Sequence, residues 1–254
     1  MLAWIILFSL AGSILSMAGG LVLLWKEQLA KKLSLFLISF AAGVLLGVAF
    51  LDLLPKALEE IGDIHKVALT AVVAIVVFFT LERFLWWYHH HRIHAAEHTK
   101  HGDHPEESGI AAKAYLLLIG DGLHNFVDGV LIAVAFLTDF SLGVGVAIGV
   151  IAHELPQEIA DFGVMLHAGF SKAKTLLLNF VTASATLVGA VITFFIAPAI
   201  EGFTPFVIAF AVGVFIYISL SDLIPEIHHR SEHKYDLVHL ALFVGGIVLI
   251  GWVV

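Results

Sequence analysis

Eight long apolar stretches dominate the chain, at about 2–25, 34–55, 66–88, 111–137, 143–166, 174–197, 204–225 and 236–254. Each holds about the 20 residues that a helix needs to cross a bilayer. In hydrocarbon every backbone N–H and C=O must be paired within the segment, so stretches of this length read as helices. The expected fold is all-α, a polytopic membrane protein of eight transmembrane helices forming one domain over 1–254, in contact with the lipid bilayer throughout. Met1–Trp25 lacks a basic leader and is long for a signal peptide, so it reads as span one. Composition closes other routes. With 60% apolar and 13% charged residues, the chain could not shield its surface as a water-soluble enzyme. There is no Cys, which excludes disulfide scaffolds and thiolate zinc sites. A net charge of -8 argues against nucleic acid as a partner.

Basic residues give the orientation. With both termini outside, eleven of the 13 Lys and Arg fall on the inner side, and only Lys56 and Lys66 fall outside. A repeat is also visible. Residues 40–56 (FAAGVLLGVAFLDLLPK) and 210–226 (FAVGVFIYISLSDLIPE) share 7 of 17 positions, including Gly43/Gly213, Asp52/Asp222 and Pro55/Pro225. One segment is span two and the other span seven, which cross in opposite senses. The expectation is a 3+2+3 inverted repeat of about 1–88 and 174–254 around central helices at about 111–166. Inverted repeats mark secondary transporters, with the substrate near the midplane.

Chemistry concentrates in spans four and five. GDGLHNFVDG carries Asp121, His124, Asn125 and Asp128; AHELPQEIADF carries His153, Glu154, Gln157, Glu158 and Asp161. At 100° per residue, each set forms one polar stripe on an oily helix. Five mid-membrane carboxylates facing lipid would cost on the order of 12–17 kcal/mol. No Lys or Arg occurs between Lys113 and Lys172 to pair with them. Imidazole with carboxylate and no basic partner suits a divalent transition metal. Pro156 cannot donate to the Ala152 carbonyl, so a kink is expected beside the stripe. Farther along the path, Asp52 falls near the outer end of span two, while Asp222 and Glu226 fall near the inner end of span seven. By inverted symmetry they are candidates for the two mouths of a route.

A tract at 89–110 holds His89, His90, His91, His94, His98, His101 and His104 and reads as a cytoplasmic His-rich loop that binds metal weakly. HELPQ invites comparison with the H-E-x-x-H of metalloproteases, but Gln157 stands where the second His belongs and Pro156 interrupts the helix. A P-loop and a G-x-S-x-G elbow are both absent. An enzyme is therefore not expected. Two alternatives to metal uptake stay open: a proton-coupled metal exporter, and an intramembrane metal-dependent hydrolase.

HNFVDG in the fourth span and HELPQEIADF in the fifth resemble the signatures of ZIP family divalent-metal transporters, prokaryotic type. The fifth-span motif is most similar to the branch reading H-E-x-P-H-E-x-G-D-F, with Gln157 in place of the second His and Ala160 in place of Gly. The resemblance implies one metal position at His124, Asp128, His153 and Gln157, and an adjacent one at Asn125, Asp128, Glu154 and Gln157. Some members bridge the pair with a sixth-span carboxylate, and span six here has none. Zn2+ is implied as the transported substrate, with Fe2+, Mn2+, Co2+ or Cd2+ as further cargo, moving towards the cytoplasm. The resemblance also admits a homodimer. Short loops and the lack of Cys suggest a bacterial inner membrane.

Overall fold

The computed structural model describes residues 1–97, 105–199, 201–231 and 233–253, without the side chains of 27, 28, 30–32, 85–97, 105–113 and 201. The described chain is helical, with no strand: α1 (Leu2–Trp25), α2 (Glu27–Gly47), α3 (Leu54–Ile61), α4 (Ile64–Glu97), α5 (Pro105–Thr138), α6 (Phe140–His167), α7 (Lys172–Ile196), α8 (Thr204–Tyr217), α9 (Ile224–Arg230) and α10 (Asp236–Val253). Eight segments are long and apolar enough to cross a membrane: Leu2–Trp25, Leu33–Ile61, Ile64–Phe84, Ala114–Thr138, Phe140–His167, Lys172–Ala199, Thr204–Arg230 and His233–Val253. The chain is an integral, multi-pass membrane protein. The helices flanking the His-rich tract are longer than the sequence suggests: α4 continues to Glu97 and α5 begins at Pro105. His89, His90, His91 and His94 therefore stand on helix, whereas His98, His101 and His104 lie outside the described residues. The Ala-Ala-Glu end of α4 has high helix propensity, and polarity alone does not end a helix.

Spans two and seven are built alike. In each, an α-helix passes through a six-residue π segment, Val48–Leu53 or Ile218–Leu223, before continuing as α3 or α9. Leu54 N–H bonds the Ala49 carbonyl and Ile224 N–H bonds the Ser219 carbonyl, each five residues back. Pro55 and Pro225 follow directly. A proline has no N–H for the carbonyl four residues earlier, and its ring crowds that carbonyl. The wider turn absorbs the mismatch without breaking the helix. Pairing of the helices shows the same doubling. Helix α2 lies along α10 as α8 lies along α4, and α1 lies along α6 as α5 lies along α7. Gly43 and Gly213 make the first pair of contacts possible. A Cβ at Gly43 would overlap the Phe243 carbonyl oxygen of α10, and one at Gly213 the Ala71 carbonyl oxygen of α4.

The core lies where α2, α5, α6 and α8 meet, around Leu45, Val48, Ile132, Phe136, Val146 and Phe215. By contrast, α4 and α10 expose Leu69, Val72, Val76, Leu240 and Val248, as lipid-facing helices do. Helices α5 and α6 form a tight antiparallel hairpin. Its single connecting residue, Asp139, caps α6 by accepting from the N–H groups of Ser141 and Leu142 at 2.8 and 3.2 Å. Helix α6 runs on through Pro156 to His167 without interruption.

Candidate metal centre

Because α5 and α6 are antiparallel, a residue after His153 on α6 stands level with one before His124 on α5. Their polar stripes meet at four side chains. The Nε2 atoms of His124 and His153 are 3.0 Å apart. Asp128 Oδ2 lies 3.2 Å from His153 Nε2 and 3.6 Å from His124 Nε2. Glu154 Oε1 lies 3.6 and 3.8 Å from the same two nitrogens. One donor atom from each of the four falls within 4.8 Å of every other, a spacing on which a single ion could sit. Asp128, His153 and Glu154 are buried, and His124 is partly open.

The orientation of His153 is fixed from behind. Its Nδ1 lies 2.9 Å from the Gly149 carbonyl oxygen, one turn earlier. A carbonyl only accepts, so Nδ1 carries a proton, and the ring is held with Nε2 facing the cluster. Both oxygens of Asp128 and of Glu154 lack a hydrogen-bond partner among the described residues. Unpaired anionic oxygens buried this deeply are costly, and a divalent cation would compensate them.

The amides of the two stripes face a neighbouring carboxylate. Asn125 Nδ2 donates to Asp121 Oδ1 at 3.0 Å, and Gln157 Nε2 donates to the same oxygen at 3.3 Å. Asn125 Oδ1 accepts from the Thr186 hydroxyl of α7 at 2.8 Å. That contact requires the close approach of α5 and α7, where a Cβ at Gly129 would overlap the Thr186 carbonyl. Asn125 and Gln157 thus border the four-donor group, with their NH2 groups turned to Asp121. Glu158 and Asp161 are buried farther along α6. Asp52 is buried on span two, and Asp222 is exposed within electrostatic reach of His124 and His153. Glu226 is half-buried and pairs with Arg230 at 2.5 Å. Sequence reasoning missed the Gly149 carbonyl, although its position four residues before His153 was available as a signal, and the bond from the Tyr217 hydroxyl to Glu82.

Eight helices long and apolar enough to span a membrane, enclosing a buried imidazole–carboxylate cluster, define an integral, multi-pass membrane protein. The family model described as "ZIP Zinc transporter" matches residues 1–107 and 87–253. The chain belongs to the ZIP zinc transporter family, a family of transporters rather than enzymes. Among curated relatives, zebrafish zinc transporter ZIP10 is 33% identical over 139 residues, 55% of this chain and 16% of that protein. Human zinc transporter ZIP6 is 36% identical over 130 residues, 50% of this chain and 17% of that protein. Mouse zinc transporter ZIP4 is 34% identical over 163 residues, 63% of this chain and 24% of that protein. The chain matches a quarter or less of the length of these three relatives.

Proposed function

We propose that the chain carries divalent transition-metal ions, zinc first, through the membrane towards the cytoplasm, with the ion bound mid-membrane between α5 and α6. The observation that carries this reading is the buried group of His124, Asp128, His153 and Glu154, whose donor atoms lie within 4.8 Å of one another. Two imidazoles and two carboxylates, with no Lys or Arg between Lys113 and Lys172, suit zinc. They also admit Fe2+, Mn2+, Co2+ and Cd2+. Relatives described as zinc transporters support the same cargo. Asn125 and Gln157 border the site, and their carbonyl oxygens complete a larger coordination shell when an ion draws them in.

The two three-span units are an inverted repeat. Supporting this are the π segments in equal register, the matched glycines and the doubled helix pairing. Both termini are outside, as the distribution of Lys and Arg supports. Asp52 then belongs to the outer mouth, and Asp222 with Glu226 to the inner one. Burial of Asp52 and exposure of Asp222 support a state closed outside and open inside. Short loops and the absence of Cys support a bacterial inner membrane as its setting.

Proteoliposomes containing a zinc-sensitive dye, with and without a pH gradient, test this reading. Zinc influx that His153→Ala abolishes is the expected result. Flux strictly tied to an opposing proton gradient would favour a proton-coupled exporter. Hydrolytic turnover without net flux would favour an intramembrane hydrolase.

A further inference from the structure

Three carboxylates on the same two helices take no part in the four-donor group: Asp121, Glu158 and Asp161. All are buried, at 5%, 0% and 6% exposure. Both oxygens of Glu158 and the Oδ2 of Asp121 have no hydrogen-bond partner among the described residues. Asp161 lies within electrostatic reach of Asp121 and Glu158, Glu158 of Asp121, and Glu154 of the four-donor group of all three. The Gln157–Asp121 bond at 3.3 Å pins the two helices together at this level. Asp121 precedes His124 by three residues, and Asp161 follows His153 by eight. At 1.5 Å per residue the group begins about 4 Å beyond the four donors and extends to about 12 Å. It lies towards the Pro105 end of α5 and the His167 end of α6.

We propose that Asp121, Glu158 and Asp161 form a second cation site, distinct from the four-donor group and built of oxygen ligands alone. The inference rests on the metal path proposed above. Its occupant is a divalent cation that keeps part of its water. Among the described residues, only the four-donor group brings its atoms within 4.8 Å of one another. The more open oxygen set therefore holds its ion more loosely. Carboxylate, amide and water ligands suit hard ions such as Mn2+ and bind zinc less firmly than imidazole does. Such a site, on the side to which the basic residues assign the cytoplasm, takes the ion from the four donors and releases it quickly. It also gives three buried carboxyl groups a counter-charge that no nearby Lys or Arg supplies.

The test is zinc titration of the detergent-solubilised full chain by calorimetry, with bound Mn2+ followed by electron paramagnetic resonance. Two classes of zinc site are expected, the weaker one also taking Mn2+. In Glu158→Gln/Asp161→Asn the weaker class should lose affinity by at least about tenfold while the tight class stays. His153→Ala should do the reverse. Retention of both classes in the double variant overturns the second site. So does loss of both from a protein that elutes like wild type, because it would mean a single shared site. Should the double variant not fold, the isosteric Glu158→Gln alone decides, and an unaltered weak class overturns the inference. A tight class that survives His153→Ala would strike at the four-donor site instead, and would leave the outcome for Glu158 and Asp161 readable by itself.

Discussion

Spans two and seven share an Asp-x-x-Pro sequence, a π segment and a glycine that admits a neighbouring backbone, yet their carboxylates sit in opposite surroundings. Asp52 is buried, with Oδ2 unpartnered among the described residues and facing Gly145 of α6, where an added Cβ would come within 2.5 Å. Asp222 is exposed, with Glu82 and Glu226 as its acidic neighbours. Packing differs in the same sense: α2 lies closely along α6, while the matching pair, α8 and α5, touches less. One local design thus occurs in a closed and an open setting within a single molecule. Alternating access requires such a difference, because two routes to one fixed site cannot be open together. The π segments give each span a wider turn at the same place in its sequence.

The largest expected effect removes what the two mouths share. Asp128→Ala should lower zinc flux by about 100-fold with the protein still in the membrane, because Asp128 faces both imidazoles and its loss leaves the ion under-coordinated. Dye-loaded proteoliposomes measure it, and near-normal flux would remove Asp128 from the site. Next come the mouths, which should fail differently. Asp222→Asn should lower the maximal rate by up to about tenfold, by weakening the acceptor on the release side. Asp52→Asn should instead raise the apparent Km for external zinc roughly several-fold, since a carboxylate at the outer mouth raises the local cation concentration. Rate curves against external zinc separate the two. Equal effects of both variants on Km would break the comparison.

The α-helical fold and the span count were legible because a bilayer leaves a backbone few options. The stripes of His124/Asp128 and His153/Glu154 were legible because ionisable groups in lipid need a reason to be there. Register between α5 and α6 was not, since two helices can slide without changing either sequence. The one-residue turn at Asp139 sets it, and so brings Glu154 to 3.6 Å from His124 and Gln157 to 3.3 Å from Asp121. The π segments were equally hidden. Pro55 and Pro225 announce a disturbance, but a kink, a break and a wide turn all answer a missing N–H. Pro156 makes the point in reverse, because α6 runs on through it.

A smaller effect is expected at Gln157, which donates to Asp121 at 3.3 Å and so stands between the four donors and the inner carboxylates. Gln157→His would replace a hard amide oxygen with a borderline imidazole nitrogen beside the site. Zinc should then gain over manganese by roughly a few-fold in competition flux. An unchanged order of metals would place Gln157 outside the coordination shell.

The smallest effect is expected farthest from the four donors, in the His-rich tract. His89, His90, His91 and His94 stand on the extension of α4 beyond the Ile64–Phe84 span, and His98, His101 and His104 follow it. Such a tract binds metal weakly and exchangeably, so it can buffer released zinc but cannot replace a buried ligand. Replacing all seven with Ser should leave the maximal rate within about twofold of wild type, as surface changes away from a site do. A synthetic peptide of residues 89–110 carrying the same changes should lose its zinc binding in a calorimetric titration. A variant that reaches the membrane normally but carries no flux would make the tract an obligatory part of the inner route. The inner mouth would then extend from Asp222 to these histidines, and the two ends of the path would differ in chemistry as well as in exposure.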